Sequence, residues 1–383
     1  MAKNIDIPDG WEVKKLGEIG NFFKGKGIKK DELCNNGLPC IIYGQIYTSY
    51  EFYTDKFISF IPTNLKPYTT EIYKNDILFA GSGETKEEIG KSIAYIGKEF
   101  AYAGGDIIIL RQNKVQSLFI TYYLNSMGRK QLNRLGQGDS VVHIYKSTLE
   151  NVKIPVPPLD EQKKIADILS LWDKAIQQTK ELIAYKETQK KGLMQNLLTG
   201  KKRLHGFNEK WKTIKLGEIC NITTGKLDAN AMDKNGIYPF FTCAKEVYKI
   251  NTFAFDTEAL LISGNGANVG YIHYYIGKFN AYQRTYVLNN FKEYIIFLKY
   301  YLENYLHIRI DKEKKSGNTP YITLDTISKM NLLIPQTHME QKAIADILLK
   351  ADEEINLLNK QLDLYMEQKK GLMQNLLTGK IRV

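Results

Sequence analysis

A thirteen-residue string, QKKGLMQNLLTGK, stands at Gln189–Lys201 and again at Gln368–Lys380. A second pair lies upstream of each copy: EQKKIADIL at Glu161–Leu169 and EQKAIADIL at Glu340–Leu348. A third, KLGEI, follows a tryptophan at Lys15–Ile19 and at Lys215–Ile219. Identity of this length in register means the chain is one unit built twice, head to tail, and repeats fix architecture before any local pattern does.

The copies are 200 residues apart at Trp11 and Trp211, but 179 apart at Gln189 and Gln368. The first copy therefore carries extra residues in its front part, and from Gly138 and Gly317 onward the spacing reads as constant. Each unit has a front of variable length and a back of fixed length. The backs match almost residue for residue, while the fronts share scattered glycines and aromatics. Two like backs imply one kind of surface met twice; two unlike fronts imply different targets.

In the second back, positions 348, 351, 355, 358, 362, 365, 369, 372 and 376 read Leu, Ala, Ile, Leu, Leu, Tyr, Lys, Leu, Leu. Alternating steps of three and four make this an a/d seam. The matching seam of the first back, from Leu169 to Leu197, turns polar past Lys186. Pro155, Pro157 and Pro158 end the preceding strand. Thr337 and Glu340 stand at capping-box spacing. Gly200 and Gly379 supply the C-terminal stops. Each back is thus a helix about 60 Å long at 1.5 Å per residue. Its apolar seam needs a partner, and the other back is the obvious one. An approximate two-fold axis would set the pair antiparallel, with a front at either end of the rod.

The fronts read as mixed α/β. Strands are expected at Cys40–Tyr43, Ile77–Ala80, Ile93–Ile96, Ile107–Leu110, Ala259–Ile262, Tyr271–Tyr275 and Tyr286–Leu288. One helix is expected in each front, Ser117–Leu135 and Glu293–Ile310.

Net charge +11 and 25 tyrosines among 383 residues favour a polyanion or an acidic surface as partner. Cys34, Cys40, Cys220 and Cys243 form no CxxC pair and, with five scattered histidines, no zinc spacing. Free cysteines suit a reducing cytoplasm. The polar N-terminus suggests no signal peptide, and no apolar run reaches the ~20 residues that span a bilayer.

Several catalytic motifs fall short. Phe79–Gly83 (FAGSG) matches the FxGxG loop of S-adenosylmethionine methyltransferases, but the Asn/Asp-Pro-Pro-aromatic partner is missing. Gly90-Lys91-Ser92 resembles the end of a P-loop, yet Gly83 to Gly90 encloses six residues instead of four. Pro8-Asp9 and Glu12-Val13-Lys14 are too compressed for a PD…ExK nuclease site. The chain reads as a binder.

Two unlike fronts, each opening on Trp then KLGEI and each closing on EQ-x-x-IADIL and KKGLMQNLLTG, resemble the specificity subunits of type I restriction–modification systems. The likeness spans essentially the whole chain. It implies an α+β fold: two pseudo-repeated mixed α/β target recognition domains, separated by two long antiparallel helices forming a coiled coil. The expected boundaries are 1–157 for the first recognition domain, 158–201 for the first helix, 202–336 for the second domain, and 337–383 for the second helix and tail. The resemblance implies a non-catalytic subunit, each domain reading one half of a bipartite, asymmetric double-stranded DNA target. It implies two methyltransferase (modification) subunits and restriction (motor–nuclease) subunits as partners. S-adenosylmethionine, ATP and Mg are then expected in those partners, with no cofactor in this chain and no membrane association. Two other readings stay open on the residues alone. One is a stand-alone DNA-modifying or DNA-cleaving enzyme; the other is a coiled-coil scaffold with two heads that bind no DNA.

Base readout uses Arg or Lys for guanine and Asn or Gln for adenine, while phosphates need positive charge or backbone N–H groups. In the first front the candidates are Lys24, Lys26, Lys29 and Lys30, then Tyr43, Gln45, Tyr47 and Thr48, then Ser82, Thr85, Lys86 and Lys91. In the second they are Lys226, Thr242, Lys245, Asn265, Asn268, Gln283, Arg284, Asn318 and Thr319. Arg284 stands out as a scarce arginine beside Gln283, suited to guanine. Lys24 and Lys26 suit phosphates.

Overall fold

The structure is a computed structural model and describes residues 7–85, 88–138, 142–313 and 321–383. The long helices are numbered here in chain order: α1 (Ser117–Asn125), α2 (Leu159–Leu197), α3 (Ile295–Glu313) and α4 (His338–Leu376). The chain forms two compact units, Met1–Thr179 with Gln361–Val383, and Lys180–Lys360. Neither unit is one sequence repeat. Each combines a front, the start of the helix that follows it, and the end of the other long helix.

In the first unit a five-stranded sheet runs in the order Asn21–Lys24, Ile107–Arg111, Ile77–Ala80, Ser92–Tyr95, Tyr53–Thr54. A four-stranded sheet runs Ser59–Ile61, Leu38–Ile41, Ala101–Ala103, Thr70–Ile72. Helix α1 packs on Ser92–Tyr95. The second unit holds a six-stranded sheet, ordered Asn221–Thr224, Thr285–Asn289, Phe255–Ser263, Ile272–Ala281, Tyr238–Phe241, Tyr248–Ile250. Helix α3 packs on Ile272–Ala281. A short antiparallel pair closes each front: Glu12–Lys15 with Lys153–Val156, and Lys212–Lys215 with Asn331–Ile334.

Each expected strand is present, Ile77–Ala80 with the expected bounds and the other six with shifted ends. The first runs Leu38–Ile41, and Tyr43 instead opens a short helix, Tyr43–Thr48, because the Gln45 side chain accepts the Ile42 N–H at 3.2 Å. The helix expected over Ser117–Leu135 is broken. It stops at Asn125 and resumes at Arg129–Asn133, where Ser126 Oγ bonds back to the Tyr122 carbonyl at 2.5 Å and the Gly128 N–H caps Tyr123. A side chain that satisfies the helix carbonyls locally competes with the next turn.

The constant spacing after Gly138 is also corrected. Glu12 pairs with Val156 and Lys212 with Ile334, an offset of 178, whereas the EQ motifs keep 179. One extra residue therefore enters the second repeat between Pro335 and Gln341. The Gln162 amide still donates to the Pro157 carbonyl (2.7 Å) and the Gln341 amide to Pro335 (3.0 Å). The same anchoring amides accept the N–H of Gln116 and of Tyr294, each at 2.8 Å.

The repeated motifs close each unit. In the second unit the Arg203 guanidinium binds Glu340 with two bonds, 2.7 and 2.9 Å, and Trp211 Nε1 adds a third at 3.2 Å. In the first unit Arg382 binds Glu161 at 2.6 and 2.7 Å and lies over the Trp11 ring. The expected capping box is thus half made. The Glu340 N–H bonds Thr337 Oγ1 at 3.3 Å, but the Glu340 carboxylate is diverted to Arg203. Deeper in the first unit, Asp173 takes the Tyr122 hydroxyl and the Lys369 ammonium, which sits 4.1 Å from the Phe52 ring centroid. In the second unit Asp352 takes Tyr300 (2.6 Å) and Lys190 (2.5 Å) in the same arrangement. These pairings run antiparallel within each unit: Asp173 with Lys369 and Glu161 with Arg382, Asp352 with Lys190 and Glu340 with Arg203. Every seam position is buried or half-buried. The lysines that looked like breaks are ion pairs, Lys186 with Glu354 at 2.6 Å among them. Gly200 and Gly379 take positive φ, 69° and 68°, at the helix stops. A Cβ on Gly379 would sit 2.3 Å from Pro8.

Among the described residues no helix is long and apolar enough to cross a membrane, and no acidic, histidine and cysteine group is placed to hold a metal.

Candidate nucleic-acid interface

The two fronts build one turn cluster in the same way. Gly25 and Gly225 N–H groups donate to Ile107 and Thr285 carbonyls, at 2.8 and 3.2 Å. A Cβ would lie 2.0 Å from the Gly104 oxygen at Gly25 and 1.9 Å from the Ala281 oxygen at Gly225, so only glycine fits either place. Next, the Gly104 N–H binds the Ile41 carbonyl and the Tyr282 N–H binds Phe241, both at 2.9 Å. The Gly105 N–H binds Gly27 and the Gln283 N–H binds Leu227, again both at 2.9 Å. The Gly81 N–H donates to Asp106 (2.7 Å) and Gly264 to Arg284 (2.8 Å). Ile144 then donates to Gly81 (3.0 Å) and Ile322 to Gly264 (2.7 Å). Four segments per front thus converge, and their equivalent positions are defined by backbone bonds. Lys26 matches Lys226, Asp106 matches Arg284, and His143 matches Tyr321.

In the first unit this gathers Lys24, Lys26 and the Gly81–Thr85 turn. Lys24, Lys26, Lys29 and Lys30 are all exposed, and Lys24 lies 3.8 Å from Asp106. Thr85 is exposed and its N–H binds the Glu88 carboxylate at 3.3 Å. Ser82 is buried, hydrogen-bonded to His143 Nδ1 at 2.9 Å. Lys91 donates to the Tyr50 carbonyl at 2.6 Å, and burial lowers its pKa. The helix carrying Tyr43, Gln45, Tyr47 and Thr48 packs on Ile77–Gly83. Tyr43 and Tyr47 are half-buried ring neighbours, the Gln45 amide donates to Ser59 at 2.5 Å, and Thr48 bonds back to Gly44 at 3.0 Å. Ser82, Lys91 and Gln45 therefore serve the fold, while the four lysines and Thr85 face outward. Lys86 lies outside the described residues.

In the second unit the candidates come together more closely. Lys226, Lys245, Gln283 and Arg284 are exposed, and Asn265 and Asn268 half-buried. Thr242 is buried, and its hydroxyl accepts the Ala244 N–H at 3.2 Å. Asn268 ties its amide to the Cys243 carbonyl (3.1 Å), Asn265 bridges to Tyr321, and the Gln283 amide binds Asp228 (2.6 Å). Lys245 lies over the Tyr271 ring, 5.7 Å from its centroid. The Arg284 guanidinium makes no hydrogen bond or ion pair among the described residues. Asn318 and Thr319 lie outside the described residues.

Sequence reasoning missed Asp106, Tyr145, Tyr271 and Tyr321. Tyr145 and Tyr321 expose more than half their surface beside these turns. The signal was available: aligning Ala101–Leu110 with Phe279–Leu288 sets Asp106 against Arg284.

His273 lies beneath this surface between Phe241 and Tyr271, its Nε2 bonded to the Ala244 carbonyl at 3.0 Å. Burial holds its pKa below the usual 6.5, the carbonyl acting against that shift. The unfolded chain then binds the proton more readily, so this contribution to stability is lost as pH falls through 6.5 and below. We expect the urea midpoint of the second unit to fall over that range. His273→Phe should flatten the fall; an unchanged profile would rule His273 out as its source.

The fold and the paired turn clusters define a chain with two like-built heads that present different side chains. The chain belongs to the type I restriction modification DNA specificity domain family, whose pattern it matches over residues 8–185 and again over 208–364. It is a specificity subunit, not a catalytic one. It is 28% identical over 418 residues to the type I restriction enzyme MjaVIII specificity subunit of Methanocaldococcus jannaschii, covering 99% of this chain and 95% of that protein. It is 45% identical to the EcoDI specificity subunit of Escherichia coli, but over 138 residues only, 36% of this chain and 30% of that one. The crystal structure of a type I restriction-modification S subunit from M. genitalium shares the fold, with a TM-score of 0.69 at 19% identity over 98% of both chains.

Proposed function

We propose that each turn cluster is a reading head for one half of a bipartite duplex DNA target. The observation that carries this is a shared backbone layout with changed side chains. Lys26 and Lys226 hold equivalent, exposed places, whereas Asp106 in the first head corresponds to Arg284 in the second, and His143 to Tyr321. Common lysines suit phosphates, and changed neighbours suit different base edges. On this reading the domains span 1–157 and 202–336, with 158–201 and 337–383 as the helical segments.

The partners on this reading are two methyltransferase (modification) subunits, joined by restriction (motor–nuclease) subunits. S-adenosylmethionine, ATP and Mg belong to those partners, and the free cysteines suit a reducing cytoplasm. Packing and ion pairing account for identity at half-buried and buried repeat positions such as Lys190 and Lys369. They do not account for identity at exposed ones: Gln189 and Gln368, Lys191 and Lys370, Gln195 and Gln374. Those matched exposed residues suit two equivalent docking surfaces.

The test is selection from a randomised duplex library by the full chain assembled with its modification subunits. Two separate short motifs should emerge; no enrichment would defeat the proposal. Lys26→Ala and Lys226→Ala should each lower the slope of log K against log salt by about 1, uniformly across sequences. An unchanged slope would remove both from the phosphate contacts.

A further inference from the structure

Asp106 and Arg284 occupy one position in two copies of the same turn. Each carbonyl accepts the glycine N–H of the facing strand end, from Gly81 and Gly264, and each residue follows an N–H bonded to the opposite loop. The shared hydrogen bonds therefore place position 106 of the first head where position 284 stands in the second, although Asp106 takes a positive φ and Arg284 does not. The charge at that position is reversed; Arg284 is exposed and the Asp106 side chain is 47% exposed.

The turn itself does not require an acid. Asp106 has φ 59°, a conformation that glycine or asparagine also provides. The carboxylate is thus a choice beyond backbone need. Its nearest cation, Lys24, is 3.8 Å away and 71% exposed, too loose a contact to be its reason. Lys24 does offset the repulsion that a bare carboxylate would meet near phosphates. Arg284 is the complementary case, a guanidinium that makes no hydrogen bond or ion pair among the described residues.

We propose that this position is a specificity determinant in both heads. Arg284 takes the O6 and N7 acceptors of guanine, and Asp106 accepts from the N4 amino group of cytosine. This rests on the reading of the clusters as DNA-reading heads, and deepens it to a base type per head.

The experiment is the randomised-duplex selection with the assembled complex, run on the parent chain, Asp106→Asn and Arg284→Gln. Asparagine keeps the left-handed turn, and Asp106→Gly serves as a second variant that keeps it without the carboxyl. Asp106→Asn should lower the cytosine preference at one position of one half-site by roughly 5- to 100-fold, with adenine gaining there. Arg284→Gln should do the same for guanine in the other half-site. All other positions should hold. Unchanged motifs from folded variants, or both variants altering the same half-site, would overturn the inference while leaving the two-headed reading intact. A parent complex that selects no motif would overturn that reading itself.

Discussion

Arg203→Ala should cost the second unit about 3–5 kcal/mol. The Glu340 carboxylate has 2% of its side chain exposed and spends both oxygens on Arg203. Without that guanidinium, only the Trp211 indole remains to it, and a buried charge without a countercharge is strongly destabilising. Arg382→Ala breaks the equivalent pair in the first unit, but Arg382 is 43% exposed, so water compensates part of the loss. The expected order is therefore Arg203→Ala above Arg382→Ala. Native-state hydrogen exchange over Lys212–Lys215 and over Glu12–Lys15 reads each unit separately. A loss under ~1 kcal/mol at Arg203 would mean that Glu340 is reached by water.

The second large effect is at Asp173. This carboxylate receives both the Tyr122 hydroxyl and the Lys369 ammonium, and Lys369 is only 8% exposed among the Phe52 and Tyr122 rings. Asp173→Ala strands that ammonium, at an expected cost of about 3–5 kcal/mol to the first unit. Lys369→Met should cost less, because the carboxylate it leaves, Asp173, is 17% exposed to water and keeps the Tyr122 hydroxyl. The pair at Lys190 and Asp352 is more open, 20% and 30% exposed, so Asp352→Ala should fall below Asp173→Ala. Equal losses at the two aspartates would show that exposure does not govern these pairs.

Much of this fold was legible in the sequence because it rests on periodicity. The seams of α2 and α4, their glycine stops and the apolar strands all follow from spacing. The antiparallel pairing of the helix ends was legible as well, but the ion pairs that hold it were not. Lys186, Lys190 and Lys369 read as polar breaks in a seam, since their countercharges Glu354, Asp352 and Asp173 lie far away in sequence. The EQ motif looked like a helix cap, yet its glutamate serves Arg203 or Arg382 and its glutamine anchors the front. The candidate site was half legible. Residue type located the lysines and Arg284, but composition cannot separate the exposed Thr85 from the buried Thr242. Asp106 escaped because a search for base- and phosphate-binding residue types picks out basic and amide side chains, not acids. Aligning Ala101–Leu110 with Phe279–Leu288 brings it forward, and the shared hydrogen bonds of the two heads fix the match.

The central claim, one scaffold carrying two independent readers, can be tested by exchanging a head. Residues 212–334 would be replaced by a copy of 12–156, since Glu12–Val156 and Lys212–Ile334 are equivalent strand ends. Both long helices and their ion pairs stay as they are. Selection from random duplexes by the assembled chimera should yield a target whose two halves are both the first half-site. A folded chimera that still selects the original second half would show that the heads do not carry the sequence information.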